Sequence, residues 1–328
     1  MSSQELEADR LSVDELPAYL VRRGVASAVQ SVEVLEGGVS NDVYGVFADS
    51  RRLVVKQSCA RLRVADEWVA TQERTLNEAA ALRFARAVTP EHVPRVVDVD
   101  EERLVLVIAA APATWPSWKQ LLLGGVVDVE VATTLGRVLA DWQQGSTVPP
   151  TDPRLDDLRA FAQLRLEPYH LTTAKRRPDV ADRIHELVAE LRERRTAFVH
   201  GDFSPKNVLV GERVWVIDFE VAHYGNPAFD VAFLLSHLAL KTVARPAHAA
   251  AYTDAAGGFW TAYRDRGGAA TDFAEVGGHT AALLLARVDG KSPVEYLDTR
   301  RQAAVRGAAR SLLRAPPASV EALWSALR

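Results

Sequence analysis

The chain is short of cysteine, of lysine and of long apolar runs, and each shortage excludes something. Cys59 is the only cysteine among 328 residues, so neither an intrachain disulfide nor a thiolate metal cluster can form. No apolar stretch approaches the ~20 residues of a membrane-spanning helix. The N-terminal stretch mixes acidic and basic groups and lacks a signal-peptide core, which is the expectation for a cytoplasmic protein. A large excess of one charge is missing too. The formal net charge is −4; residues 1–113 hold 18 acidic and 13 basic side chains, and residues 114–328 hold 25 and 26. That excludes the strong positive field of a nucleic-acid binder. The balanced second part also lacks the acidic excess that suits a polycationic substrate. Lysines number six against 33 arginines. A lysine at a motif position is therefore more informative here than in an average chain.

What is present is a soluble composition, 48% hydrophobic and 25% charged, with length enough for two lobes. The pattern predicts a helix over 12–23, opened by a capping box of Ser12 and Glu15. Strands follow over 32–35, 43–47 and 52–56, then a long helix over 66–87 and two further strands over 93–99 and 104–108. Ala and Pro then break the periodicity between Ala109 and Pro116. Beyond it helices are expected over 129–144, 179–195, 228–241, 258–266, 278–288 and 318–327. The organisation read from this is a helical extension over 1–30, a β-rich lobe over 31–108, a hinge over 109–116 and a helical lobe over 117–328.

The most informative segment runs from His200 to Glu220, HGDFSPKNVLVGERVWVIDFE. Val208–Val210 and 214–217 read as two short strands joined by the turn Gly211-Glu212-Arg213. Such a hairpin returns Asp218 to the end where Asn207 begins it, and Asp202 lies on the loop feeding it. Two carboxylates and an amide oxygen then converge on one spot. Hard oxygen donors with open coordination positions suit Mg²⁺ better than zinc or iron.

H-G-D-x-x-x-x-N followed by an apolar hairpin and an Asp resembles the catalytic loop and metal-binding Asp of the kinase-like superfamily. The His-Gly-Asp spelling is most similar to its small-molecule branch, the aminoglycoside phosphotransferase and choline kinase group. The resemblance implies an α+β, bilobal protein-kinase-like fold with a β-rich N-lobe and a mainly helical C-lobe. It implies that Asp202 accepts the proton of the attacking hydroxyl, while Asn207 and Asp218 hold Mg²⁺ against the phosphates of ATP. Gly37, Gly38, Ser40 and Asn41 then bridge two strands where such a fold covers its nucleotide. Lys56 matches the lysine that pairs with the α- and β-phosphates, held by a helix Glu; Glu78 is the candidate and Glu73 its competitor. Lys206 is positioned to neutralise charge on the transferring group. His200 is expected to orient the loop and Asp230 to brace it, both structurally.

Residues 64–68, Arg74, Glu78 and 93–96, with Asp218-Phe219-Glu220, Tyr224-Gly225 and Phe229-Asp230, resemble methylthioribose kinases, over about half of the chain. The Ser-Pro-Lys-Asn spelling and the lone Arg287, where that subfamily has two adjacent arginines, depart from them. Glu220, His223, Arg287, Asp289 and Lys291 are the candidates for holding the acceptor. Arg306, Arg310 and Arg314 read as a wet helix face. The function implied is an ATP-dependent kinase acting on a hydroxyl of a small molecule, a sugar or a sugar-containing metabolite. Its alternatives are an aminoglycoside-inactivating phosphotransferase and a nucleotide-binding pseudokinase that scaffolds or senses. A protein kinase fits poorly, because twelve residues from Asp218 to Asp230 leave little room for an activation segment.

Overall fold

The computed structural model describes residues 10–35, 41–59, 70–146 and 152–327. The strand-forming stretches assemble as five strands, β1 Val29–Val34, β2 Asn41–Ala48, β3 Arg51–Ser58, β4 Val96–Asp100 and β5 Val105–Ala109. Every pair is antiparallel, in the spatial order β1-β2-β3-β5-β4. Asp49 and Ser50, both at positive φ, turn β2 into β3 with the twist a two-residue hairpin favours. Helix α1, Leu16–Arg22, buries Leu16, Tyr19 and Leu20 against Val46, Leu53 and Val107 of the sheet. It begins later than the capping box suggested. Glu15 does accept hydrogen bonds from the backbone N and Oγ of Ser12, at 2.9 and 2.8 Å, but within a turn before the helix. Pro17, tolerated only in a first turn, fixes the start.

Helix α2, Arg74–Val88, packs Ala79, Leu82 and Ala85 into the main core. It starts after the predicted position, and of the predicted residues 66–69 lie outside those described. The stretch 109–116 runs along the hairpin of residues 208–216. The backbone N of Val210 donates to Pro116 O at 3.0 Å, and Trp115 meets Trp215 edge-on with centroids 5.8 Å apart. Gly211 passes beneath the Trp115 ring so closely that a Cβ there would lie 2.1 Å from its Nε1. Only glycine fits that turn.

Helices dominate the rest of the chain: α3 Trp118–Leu123, α4 Val129–Gln144, α5 Ala181–Glu193, α6 Ala228–Ala244, α7 Ala249–Asp265, α8 Phe273–Asp289, α9 Thr299–Arg314 and α10 Val320–Ser325. Between α4 and α5 a π-helical stretch, Ala162–Leu171, carries Pro168. Helix α4 has the predicted bounds, and Asp128 caps it by accepting from the N of Glu130. Helix α7 runs nine residues further toward the N-terminus than expected. The expected start is Gly258. Gly258 rests on Val129 and Thr133, and Gly136 lets α4 approach the backbone of Phe259. The two helices pack at close range through their glycines. Helix α6 is buried from Ala228 to Thr242, which is why its sequence is apolar nearly all round. Two small sheets complete the fold: β6 Ala197–Val199 with β9 His223–Gly225, and the predicted hairpin, β7 Val208–Val210 with β8 Val214–Val216.

Candidate active site

The hairpin closes as its spacing required. The N of Ile217 donates to Asn207 O at 2.9 Å, bringing Asp218 and Asn207 to one end. Asp218 sits at φ 69°, a left-handed conformation that Asp tolerates better than branched or bulky residues. Its Oδ1 lies 2.7 Å from Lys56 Nζ, and the same ammonium lies 2.7 Å from Glu78 Oε2. Glu78 is thus the acid that meets Lys56, whereas Glu73 accepts from the hydroxyl of Thr71. Burial disfavours the ammonium of Lys56, yet Asp218, Glu78 and Glu220 together raise its pKa. Burial likewise raises Asp218, but the ammonium groups of Lys56 and Lys206 outweigh it and hold the carboxyl below the usual range. Glu78 is pushed up by burial against the pull of Lys56.

Three donors converge on a single oxygen of Asp202. Oδ2 lies 2.9 Å from an NH2 of Arg165, 2.8 Å from Lys206 Nζ and 2.8 Å from Asn207 Nδ2. Oδ1 takes none of the three. Burial would raise this carboxyl; Arg165 and Lys206 keep it below the ordinary carboxylate range, so Asp202 is ionised. Arg165 also donates from Nε to Gly201 O at 2.8 Å. Sequence reasoning missed Arg165, which sits in the π-helical stretch where no α-helical periodicity marks it.

The loop carrying Asp202 is braced from α6. Gly201 has φ 76°, and a Cβ there would lie 2.7 Å from Val221 O. The N–H groups of His200 and Gly201 donate to the two oxygens of Asp230 at 2.6 and 2.9 Å. His200 Nδ1 accepts from the N of Asp202 at 3.1 Å, which assigns its proton to Nε2, 3.2 Å from Ile217 O. Burial holds this imidazole at about 4, hence neutral. Burial also pushes Asp230 up to about 7, against the two backbone donors. Asp230→Ala strands both N–H groups. The expected result is a loss of about 2–4 kcal/mol in unfolding free energy, read from urea melts.

The remaining candidates divide. Gly37, Gly38 and Ser40 lie outside the described residues. Asn41 uses both ends of its amide inward, donating to Glu220 Oε2 at 2.9 Å and accepting from Ser58 Oγ at 2.8 Å. Glu220 also pairs with Arg74 at 3.0 Å, and Asn77 donates to Glu220 O and Ala222 O. Glu220 therefore fastens β2 and α2 to the segment after Asp218. His223 is buried on β9 against Phe161, with ring centroids 4.2 Å apart, and burial lowers it to about 4. Asp289 is held by Arg177 at 2.6 Å and Arg306 at 2.8 Å, while the N of Lys291 donates to Pro168 O. Arg287 has a different neighbourhood. Its guanidinium lies 5.6 Å from the ring centre of Tyr169, and that of Arg165 lies 5.7 Å from the same ring. Of the five acceptor candidates, Arg287 connects to Asp202, through Tyr169 and Arg165. The arginine face of α9 is not free either. Arg306 holds Asp289, and Arg310 and Arg314 both hold Asp179.

Residues 31–270 match the phosphotransferase enzyme family, and the chain belongs to it. Methylthioribose kinase 2 of Oryza sativa subsp. japonica is 27% identical over 263 residues, covering 71% of this chain and 62% of the rice protein. A methylthioribose kinase of Erwinia tasmaniensis is 25% identical over 251 residues, covering 67% and 62%. The chain thus spans less than two thirds of the length of these curated relatives. An amicoumacin kinase solved in complex with AMP-PNP and Ca²⁺ superposes with a TM-score of 0.60 at 17% identity, over 98% of this chain and 99% of that one. A choline/ethanolamine kinase family protein from Mesorhizobium loti does so with 0.54 at 20%, over 96% and 98%. The fold is the kinase-like one that the catalytic-loop resemblance implied, with its antiparallel sheet first and its helices after. No helix among the described residues is long and apolar enough to cross a membrane.

Proposed function

We propose that the protein is an ATP- and Mg²⁺-dependent phosphotransferase that phosphorylates a hydroxyl of a small molecule, a sugar or sugar-containing metabolite. One observation carries this: Lys56, paired with Glu78 on one side, touches Asp218 on the other, at the end of the hairpin where Asn207 meets Asp202. In this reading Lys56 holds the nucleotide phosphates and Asp202 aligns the acceptor hydroxyl through its uncommitted Oδ1. The donor set fits a divalent metal. Asp218 has a second carboxylate oxygen that Lys56 does not take, and Asn207 has committed its amide nitrogen to Asp202, which leaves its carbonyl oxygen. Bound there, Mg²⁺ neutralises charge on the phosphates.

The family match and the methylthioribose kinase relatives support a small acceptor of sugar type. The presence of Lys56, Asp202, Asn207 and Asp218 together argues against a pseudokinase. The test is ADP release with MgATP over a panel of sugars, amino alcohols and aminoglycosides. Release should require both the divalent metal and a polyhydroxylated acceptor. Efficient phosphorylation of aminoglycosides with no sugar turned over would refute the substrate class, and a chain that binds no MgATP would refute the kinase.

A further inference from the structure

Helix α6 carries a stripe of side chains that leads away from the reaction site. Asp230, Phe233, His237 and Lys241 recur every three or four residues and share one face. Asp230 braces the catalytic loop. The guanidinium of Arg165, bound to Asp202, lies 5.8 Å from the Phe233 ring centre, and Tyr169 stacks on Phe233 at 6.1 Å. His237 packs edge-on against Phe233 at 5.0 Å. Lys241 Nζ lies 3.4 Å from His237 O and 5.5 Å from the ring centre of Tyr296. From α8, Arg287 enters the same neighbourhood at Tyr169.

This neighbourhood is rich in cations and poor in anions. Lys119 on α3, Lys206 on the catalytic loop and Arg287 all act electrostatically on His237, as does Lys241 itself. Glu295 is the carboxylate that acts on Lys241, and it already pairs with Lys119 at 2.5 Å. Lys241 is only 1% exposed. Among the described residues neither Lys241 nor Arg287 has a carboxylate partner. Arg287 Nε and the hydroxyl of Tyr296 are buried without any hydrogen-bond partner. Burial, with Lys119 and Arg287 nearby, pushes Lys241 down to about 7. A buried cation without a counter-charge opposes folding. An arrangement of this kind is explained when a bound molecule brings the missing charge.

We propose that the acceptor carries an anionic group, a carboxylate or a phosphate, and that Lys241 and Arg287 hold it while Asp202 meets its hydroxyl. This rests on the phosphotransferase reading for the hydroxyl and on the cation cluster for the charge. A neutral sugar leaves both cations without a counter-charge, and an aminoglycoside adds like charge to them.

Matched acceptors test it: ribose, ribonate, ribose 5-phosphate and glucosamine, each with MgATP and the full chain. The expected kcat/KM for the better anion exceeds that for ribose by about 10-fold or more, the scale of a desolvated ion pair. Ribonate against ribose 5-phosphate tells carboxylate from phosphate. Lys241→Met should bring the anion-to-neutral ratio to about one, whereas Arg310→Ala, whose guanidinium pairs with Asp179, should keep it. A second readout needs no turnover. Inorganic phosphate and ribonate should each be tried for raising the Tm of the wild type, and at least one should do so through Lys241, with the shift lost in Lys241→Met. The Tm of ligand-free Lys241→Met should equal or exceed the wild type, because the ammonium has no partner to lose. A clearly lower Tm, no stabilisation by either anion, or equal use of ribose and glucosamine overturns the inference. If MgATP does not bind, the phosphotransferase reading falls, and the anion-induced Tm shift still decides whether the cluster takes an anion.

Discussion

Asp202→Asn should cut turnover by ~10² or more while leaving MgATP affinity within a few-fold, the scale of a lost general base. The geometry supports the asymmetry. Oδ2 of Asp202 is fixed by Arg165, Lys206 and Asn207, so Oδ1 is the oxygen left to meet a hydroxyl. The nucleotide contacts assigned to Lys56 and Asp218 do not pass through it. Because Arg165 is buried and loses its counter-charge in this variant, urea melts must accompany the kinetics. The pH profile is a further check. Asp202 has a folded pKa lowered by Arg165 and Lys206, so it stays charged as pH falls, until the pH passes below the ordinary range near ~3.9. The wild-type kcat should therefore show no acidic limb from this group above that range. Near-normal turnover in a folded Asp202→Asn protein would remove Asp202 from the chemistry.

The hairpin and its convergence were legible because they rest on short-range rules. Two valine-rich strands around Gly211-Glu212-Arg213 leave few registers, and a tight return forces Asn207 and Asp218 to the same end. The sheet was legible for a similar reason, since its strands are marked by β-branched residues and punctuated by turns. Lys56 and Glu78 stand 22 residues apart, and it was the kinase-like resemblance that paired them, one on a strand and one on the first long helix.

What stayed hidden depends on contacts across the helical half. Arg165 lies in a π-helical stretch around Pro168, where the usual spacing of apolar residues does not apply. Gly258 of α7, the expected start of that helix, serves as a close contact with α4. Glu220 is an acceptor candidate by sequence; only the fold puts Arg74 and Asn41 against it. Lys241 had no local motif at all. Its place emerges when α6 is laid beside α3 and α8, whose Lys119 and Arg287 act on it. Residue type and spacing thus locate the His200–Asp218 loop and hairpin well and the proposed cation cluster poorly, because the latter is assembled from distant helices.

Asp218→Asn should reduce the affinity for ATP in Mg²⁺ to that seen in EDTA and lower turnover by about 10³, equivalent to ~4 kcal/mol of lost charge stabilisation. Asn is the informative replacement. It tolerates the left-handed backbone at φ 69° about as well as Asp and keeps the side-chain shape, so charge is what changes. Ala adds backbone strain and confuses the two effects. The variant also releases Lys56, which lies 2.7 Å from Asp218 Oδ1, leaving Glu78 as its carboxylate partner. That pair is buried, so β3 and α2 should remain joined and the protein should stay folded. Asn207→Ala is the companion variant. Asn207 supplies a carbonyl dipole where Asp218 supplies a full charge, so metal dependence should weaken less. Its loss should still slow turnover, because Asn207 Nδ2 donates to Asp202 at 2.8 Å and helps to fix its Oδ2. Calorimetry with and without Mg²⁺ separates these effects from kinetics. Unchanged metal dependence in both variants would make the hairpin a structural element only and would leave the convergence of Asp202, Asn207 and Asp218 without chemical purpose.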